Sequence, residues 1–228
     1  MYADTSLRGE PITAEYARQR MRWEPVSEVT QIKGDSETHP VVSPDDEFAD
    51  FETYPFYIQQ GHEDYKPGSG DYARSALRLG LALEQRTGVN PYQFGMIGST
   101  DSHSGLASNE EDNFWGKMAR DSTPETKRSD DRIGGRKTTG WNMSASGLAA
   151  VWSEENTREA IFSAFQRKEV YATTGTRMRV RVFGGWEFTR ADLDSPDFAA
   201  IGYSQGVPMG GELQPPDPNS PGGGPVFL

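Results

Sequence analysis

This sequence of 228 residues has no cysteine and only three histidines. It also has no apolar run long enough to span a membrane. The absence of cysteine excludes disulfide bonds and thiolate metal ligands. Acids outnumber lysine and arginine, and the formal net charge is −11, so the surface repels nucleic-acid phosphates. Neither nucleic acid nor a membrane is therefore an expected partner, and a bound metal would be held by nitrogen and oxygen atoms.

Glycine and proline are abundant, with 25 and 15 residues, and they predict long loops around a folded centre. Two polar segments, 35–70 and 104–139, are predicted to be loops, with one short helix near 46–51. Helices are predicted over 13–23, 71–87 and 153–168, and strands over 26–33, 94–98, 146–151, 170–173 and 177–182. The tail from Asp192 is rich in proline and glycine, and no helix is predicted there.

Helices and strands alternate in this pattern, with short links before strands and long loops after them. That arrangement is typical of α/β barrels, in which the loops after the strands carry the chemistry. The sequence therefore predicts an α/β fold with its candidate site after the carboxyl ends of the strands.

Two of the three histidines follow an acid by two residues, in Glu37-Thr38-His39 and Asp101-Ser102-His103. Residues two apart in an extended segment point to the same side, so each pair presents a carboxylate beside an imidazole. These groups suit zinc, manganese or iron. The apolar strand before Asp101 and the small residues 98–100 make Asp101 and His103 the stronger pair, predicted to be metal ligands and catalytic residues.

Alternatives stay open for the other groups. Glu37 and His39 are predicted metal ligands or proton-transfer groups, or else residues of an ordinary polar loop, and His62 is interpreted as a solvated loop residue. Lys33, at the end of a strand, is predicted to contact a small anionic substrate. Arg177 is predicted to do the same, or to form a solvated strand face with other arginines.

Several long motifs in the sequence resemble the uncharacterised bacterial family DUF3604. They are EVTQIKGDSE (28–37), DEFADFE (46–52), FGMIGSTDSH (94–103), EENTR (154–158) and VYATTG (170–175). The resemblance extends over most of residues 10–185, and family members are similar to PHP-type phosphoesterases. It implies a distorted α/β barrel that binds up to three divalent metals, with Asp101 and His103 in the closing Asp-x-His motif.

The opening His-x-His motif of that superfamily does not occur in this chain. We therefore expect the C-terminal part of a family member: residues 1–176 as half of a PHP-like barrel, and residues 177–228 as a small β-rich extension that is cut short. The resemblance also implies export for many members, although Met1-Tyr2-Ala3-Asp4 lacks the basic and apolar regions of a signal peptide.

The expected function is metal-dependent hydrolysis, first of a phosphoester, by metal-activated water, with the chain present as an incomplete fragment. One alternative is a metal-dependent hydrolase of another bond. The other is a non-catalytic binding module, which the missing His-x-His motif leaves open. The sequence leaves the substrate, the metal and the oligomeric state open.

Overall fold

The computed structural model describes residues 2–54, 66–105, 117–119, 122–129, 147–216 and 223–228. Six α-helices and eight short strands lie within these residues. The helices are α1 (Ala14–Trp23), α2 (Ala73–Thr87), α3 (Pro124–Ser129), α4 (Arg158–Arg167), α5 (Arg190–Leu193) and α6 (Phe198–Gln205). The strands are β1 (Val26–Gln31), β2 (Gly34–Asp35), β3 (Gly95–Gly98), β4 (Leu148–Val151), β5 (Val170–Thr173), β6 (Phe183–Gly185), β7 (Val207–Pro208) and β8 (Val226–Phe227).

The first two helices begin and end through side-chain and backbone caps. Thr13 caps α1, because its hydroxyl accepts a hydrogen bond from the Tyr16 N–H. Asp71, predicted to cap α2, lies in a 3-10 turn instead, where its carboxylate accepts from the Gly68 N–H at 2.9 Å, and α2 begins two residues later. Gly88 ends α2 as predicted, in the left-handed conformation at φ 76°.

Helix α4 is shorter than predicted. It begins at Arg158 rather than after Ser153, because the Thr157 hydroxyl accepts from the Ala160 N–H at 3.3 Å and fixes the first turn. The segment before it, including the two glutamates of the predicted first turn, lies outside the helix.

The central sheet has the order β2-β1-β3, with β1 parallel to β3 and antiparallel to β2. Strands β4 and β5 form an antiparallel pair that packs on β3. Glycine permits this close packing: a Cβ added at Gly98 would lie 2.7 Å from the Leu148 carbonyl oxygen, and one at Gly95 would lie 2.7 Å from Val170 Cγ2.

The main apolar core lies where the first residues, α1 and α2 pack together. Its buried members are Tyr2, Ile12, Ala17, Ala76, Leu83 and Tyr92. The Tyr92 hydroxyl donates to the Ala3 carbonyl oxygen at 2.5 Å, so its polar end is satisfied inside this core.

The last part of the chain forms a third sheet, β7-β6-β8, with α5 and α6 beside it. The predicted strand over 177–182 is wrong, because the strand begins at Phe183, whose ring is buried against Phe198 and Tyr203. Helix α6 was missed by the sequence analysis. Gly202 lets it approach closely, since a Cβ there would lie 2.4 Å from the Phe183 ring.

The described residues confirm a mixed α/β fold but contain no closed barrel, since their strands lie in three small separate sheets. The short helix predicted near 46–51 is also wrong: this segment forms successive turns in which Asp46, Ala49 and Phe51 each bond to the carbonyl three residues back. None of the helices in the described ranges is long and apolar enough to cross a lipid bilayer.

Candidate active site

The two parallel strands β1 and β3 end side by side, which places the residues that follow them at one edge of the sheet. The Ser99 N–H donates to the Thr30 carbonyl oxygen at 3.0 Å, extending the pairing beyond Gly98. The chain leaving β1 supplies Lys33, and the chain leaving β3 supplies Asp101. Such an edge is where α/β proteins place ligand sites.

Asp101 is the centre of a group of charged side chains. Its carboxylate forms an ion pair with the Lys33 ammonium, and Lys117 Nζ lies 2.5 Å from its Oδ2. Lys117 also donates to the Asp101 carbonyl oxygen at 3.1 Å. Asp101 has a φ of 47°, a left-handed conformation uncommon for residues other than glycine. The contacts with the two lysines therefore hold the carboxylate of this turn in place.

His103 faces the same carboxylate, as the spacing predicted. Its Nε2 lies 3.2 Å from Asp101 Oδ1 and 3.2 Å from Lys117 Nζ. The His103 N–H donates to the Lys117 carbonyl oxygen at 2.7 Å, which ties the two backbone segments together. The imidazole side chain is about half exposed, so a ligand can reach it.

The two ammonium groups control the charge of this site. The Lys117 charge is the main cause that lowers the pKa of His103, with burial and Lys33 adding to it, so the neutral imidazole is favoured. Burial and the neighbouring Lys117 lower the pKa of Lys33 to about 8, whereas Glu28 opposes the shift. The Asp101 carboxylate beside Lys33 also favours its charged form.

Lys117 is the site residue that sequence analysis missed, because it lies in the polar segment 104–139, which was predicted to be a loop. Only 5% of it is exposed. The sequence signal that could have pointed to Lys117 is the apolar residue beside it, Met118. Met118 packs against the buried Ile32, and this contact brings Lys117 under the end of β1. Most of that polar segment lies outside the described residues.

A family model matches residues 1–228 of the chain. The chain belongs to the DUF3604 family. The family is described as a protein of unknown function, so membership confirms the resemblance in the motifs and names no reaction. No curated protein and no solved structure matches this DUF3604 chain. The similarity to PHP-type phosphoesterases stays a prediction.

The second acid-x-His motif of the DUF3604 chain has other partners. Glu37 forms an ion pair with Arg74 of α2, which also contacts Asp46 Oδ2 at 2.6 Å. His39 Nδ1 accepts from the Val41 N–H at 3.1 Å, and its ring lies 5.7 Å from that of Tyr72. These contacts join the motif to α2 and the loop before it. A metal role for Glu37 and His39 stays a prediction.

The remaining predicted residues are less closely placed. Arg177 is exposed in the segment after β5, and His62 lies outside the described residues. Within the ranges that the structure describes, no group of three or more histidine, cysteine or acidic residues could hold a metal ion. Metal sites use about three or four protein ligands, and Asp101 and His103 thus supply two of them.

Proposed function

We propose that this DUF3604 chain contributes Asp101 and His103 to a hydrolytic centre that binds a divalent metal, zinc, manganese or iron, and acts on a small anionic ester. The single observation that carries the proposal is the convergence of Lys33, Lys117 and His103 on Asp101 at the ends of two adjacent parallel strands. A carboxylate, a neutral imidazole and two ammonium groups at one strand edge are suited to bind and cleave an anion.

The donor chemistry of Asp101 and His103 fits two ligand positions of such a metal. Their facing atoms lie 3.2 Å apart, and the lowered pKa of His103 favours the neutral form in which imidazole binds metals. The lysine ammonium groups now hold the carboxylate, so a metal would have to displace them. That displacement would leave both ammonium groups beside the metal, where an anionic substrate would bind.

The metal and the protein residues would have separate roles in the proposed reaction. A divalent metal, when bound, supplies Lewis acidity and lowers the pKa of water. Lys33 and Lys117 would hold the anionic group of the substrate, since ammonium groups bind such oxygens as point charges. The lowered pKa of His103 favours the neutral imidazole that could hold the metal, and the Asp101 carboxylate beside it orients the ring.

The choice of scissile bond is a finer part of the proposal. A phosphoester is the first substrate by the resemblance alone, and another ester or amide bond is the alternative. The two ammonium groups support an anionic substrate of either kind. Arg177, on the exposed segment after β5, is proposed as a further contact for its anionic group.

A non-catalytic binding module is the second candidate function. The observation that favours it is that Lys33 and Lys117 already neutralise Asp101. A carboxylate satisfied in this way has less need of a metal, and such a site could bind an anion without cleaving it.

Metal content, measured by elemental analysis, tests the proposal on the unmodified chain and on two matched double variants. Asp101→Asn/His103→Ala removes the stronger acid-x-His pair, and Glu37→Gln/His39→Ala removes the weaker one. We expect about one zinc, manganese or iron per chain, lost only in the first variant. Metal lost only in the second variant would move the centre to Glu37, and no metal in the unmodified chain would favour the binding module.

Hydrolysis assays then separate the bond classes. Metal-loaded protein is incubated with p-nitrophenyl phosphate, p-nitrophenyl sulfate and p-nitrophenyl acetate. Release from the phosphate alone, absent in Asp101→Asn/His103→Ala, supports phosphoester hydrolysis. Release from the sulfate instead would assign another anionic ester. Release from the uncharged acetate alone would contradict the anionic substrate, and a loaded protein that releases from none of the three would contradict hydrolysis of such esters.

A further inference from the structure

A cavity of about 590 Å³ lies on a different part of the central sheet from the Asp101 site. Its walls come from β1, β3, β5 and α2, together with segments near residues 180 and 209, and they are mainly apolar. Val29, Leu77, Phe94, Met96, Val170 and Val182 are among the lining side chains. Lys33, Asp101, His103 and Lys117 do not line it. The volume lies within the range of small-molecule sites.

Thr30, in the wall of this cavity, has an unsatisfied polar group. It is 4% exposed, and its hydroxyl oxygen is buried with no hydrogen-bond partner in the described part of the chain. Its methyl carbon is turned toward the backbone of Gly98 and Gly147, where an added Cβ would lie 2.9 Å away. A buried hydroxyl without a partner is destabilising, and because this oxygen is fully buried, Thr30 forms part of the cavity wall without offering its hydroxyl to a ligand.

Lys168 lies in the cavity wall, and within the described ranges its side chain forms no ion pair. It ends α4 in the left-handed conformation, and its backbone packs against Gly210. Burial lowers the pKa of its amine, and Glu212 opposes the shift only at a distance, because no acid of the described ranges pairs with Lys168 within 4.0 Å. Arg74, the other cation of the wall, is already paired with Glu37 and Asp46.

We propose that this cavity binds a small monocarboxylate with an apolar body, whose carboxylate pairs with the Lys168 ammonium and whose apolar part packs on Val29, Met96 and Val170. The wall also contains two acids, Asp35 and Glu37, of which Glu37 is paired with Arg74. The Lys168 ammonium can therefore hold one ligand carboxylate, and a second would lie beside apolar groups and these acids, which disfavour it. The proposal goes beyond hydrolysis at Asp101 and shares no residue with it.

Octanoate is the probe, and octylamine, with a chain of the same length and the opposite charge, is its control. The protein is labelled in its methionine methyl groups, because Met96 and Met209 line the cavity whereas Met178 is exposed and Met21 lies in α1. We expect saturable shifts of the Met96 and Met209 signals with octanoate and none with octylamine. Lys168→Met should weaken octanoate binding about tenfold.

Two further variants complete the test. Arg86→Gln removes an exposed positive charge elsewhere on α2 and should bind octanoate like the unmodified protein. Asp101→Asn should also bind octanoate like the unmodified protein. A failure of the hydrolytic proposal can therefore be distinguished from a failure of this one. Equal binding of octylamine, equal shifts at Met178, or unchanged octanoate affinity in Lys168→Met would each overturn the proposal.

Discussion

The two acid-x-His motifs have the same spacing but opposite electrostatic surroundings. Around Asp101 the partners are two lysines, so the carboxylate lies among an excess of positive charge. Around Glu37 a single arginine is shared with Asp46, and Asp35 and Glu52 lie close by, so acids are in excess. The same spacing therefore gives a facing acid and histidine at Asp101 and His103, whereas Glu37 and His39 contact other residues, so residues distant in sequence decide what each motif can bind.

The largest expected difference between the two regions is in stability. Asp101→Asn keeps a side chain that tolerates the left-handed turn but leaves the ammonium groups of Lys33 and Lys117 without their carboxylate. We expect the free energy of unfolding to fall by about 3 kcal/mol. Glu37→Gln should cost less than about 1 kcal/mol, because Arg74 keeps Asp46 and the pair is more exposed. Urea denaturation measures both, and equal losses would contradict the contrast.

A second prediction concerns the charge state of His103. Lys117→Met removes the main cause of its lowered pKa, so the pKa of His103 should rise toward the ordinary histidine value. The proton NMR titration of the imidazole measures this change. Arg86→Gln removes an equal charge from an exposed place and serves as the matched control. A His103 titration that is the same in both variants would show that Lys117 does not set its charge.

The smallest expected effect concerns Glu52, in the acid-rich region around Glu37. Burial, with Asp35 adding to it, raises the pKa of Glu52, whose Oε2 is buried with no hydrogen-bond partner in the described ranges. A folded-state pKa above the unfolded value means that the folded chain holds the proton longer, so stability is lost as pH rises through the folded pKa. Glu52→Gln lacks this loss, so its melting temperature should rise relative to that of the unmodified chain as the pH increases above the ordinary glutamate pKa of about 4.3.

A thermal-denaturation series at several pH values measures the Glu52 effect. Glu15→Gln, on the exposed face of α1, is the matched control. If both variants gain equally over the same pH range, the effect reflects net charge rather than the burial of Glu52.

Local signals predicted much of the fold. Thr13, Gly88 and the apolar residues before Asp101 act through neighbours in sequence, so α1, the end of α2 and β3 were predicted near their observed places. Helix α6 was missed because glycine and proline around it resemble loop, and its position depends on Phe183, far away in sequence. The barrel was expected from the order of elements and from resemblance, and strand order in space does not follow from either.

The candidate site was predicted only as far as local spacing reaches. Asp101 and His103 do face each other, but the prediction assumed extended backbone, whereas Asp101 has a φ of 47°. Lys33, predicted at the end of a strand over 26–33, lies in the turn after β1, which ends at Gln31. Lys117 depends on Met118 packing against Ile32 across the chain. No periodicity in the polar segment encodes that contact, so the residue with the strongest influence on the charge of His103 was not found.

The glycines around β3 have a consequence for how the chain tolerates change. Gly98 and Gly147 have no room for a Cβ beside Thr30 and Leu148, so backbone touches backbone where β1, β3 and β4 meet. The relative positions of Lys33 and Asp101 therefore depend on the close packing of strands that supply no side chain to the Asp101 site. Replacing either glycine with alanine would push the neighbouring strands apart. The site would then be disrupted although every charged residue remains in the sequence.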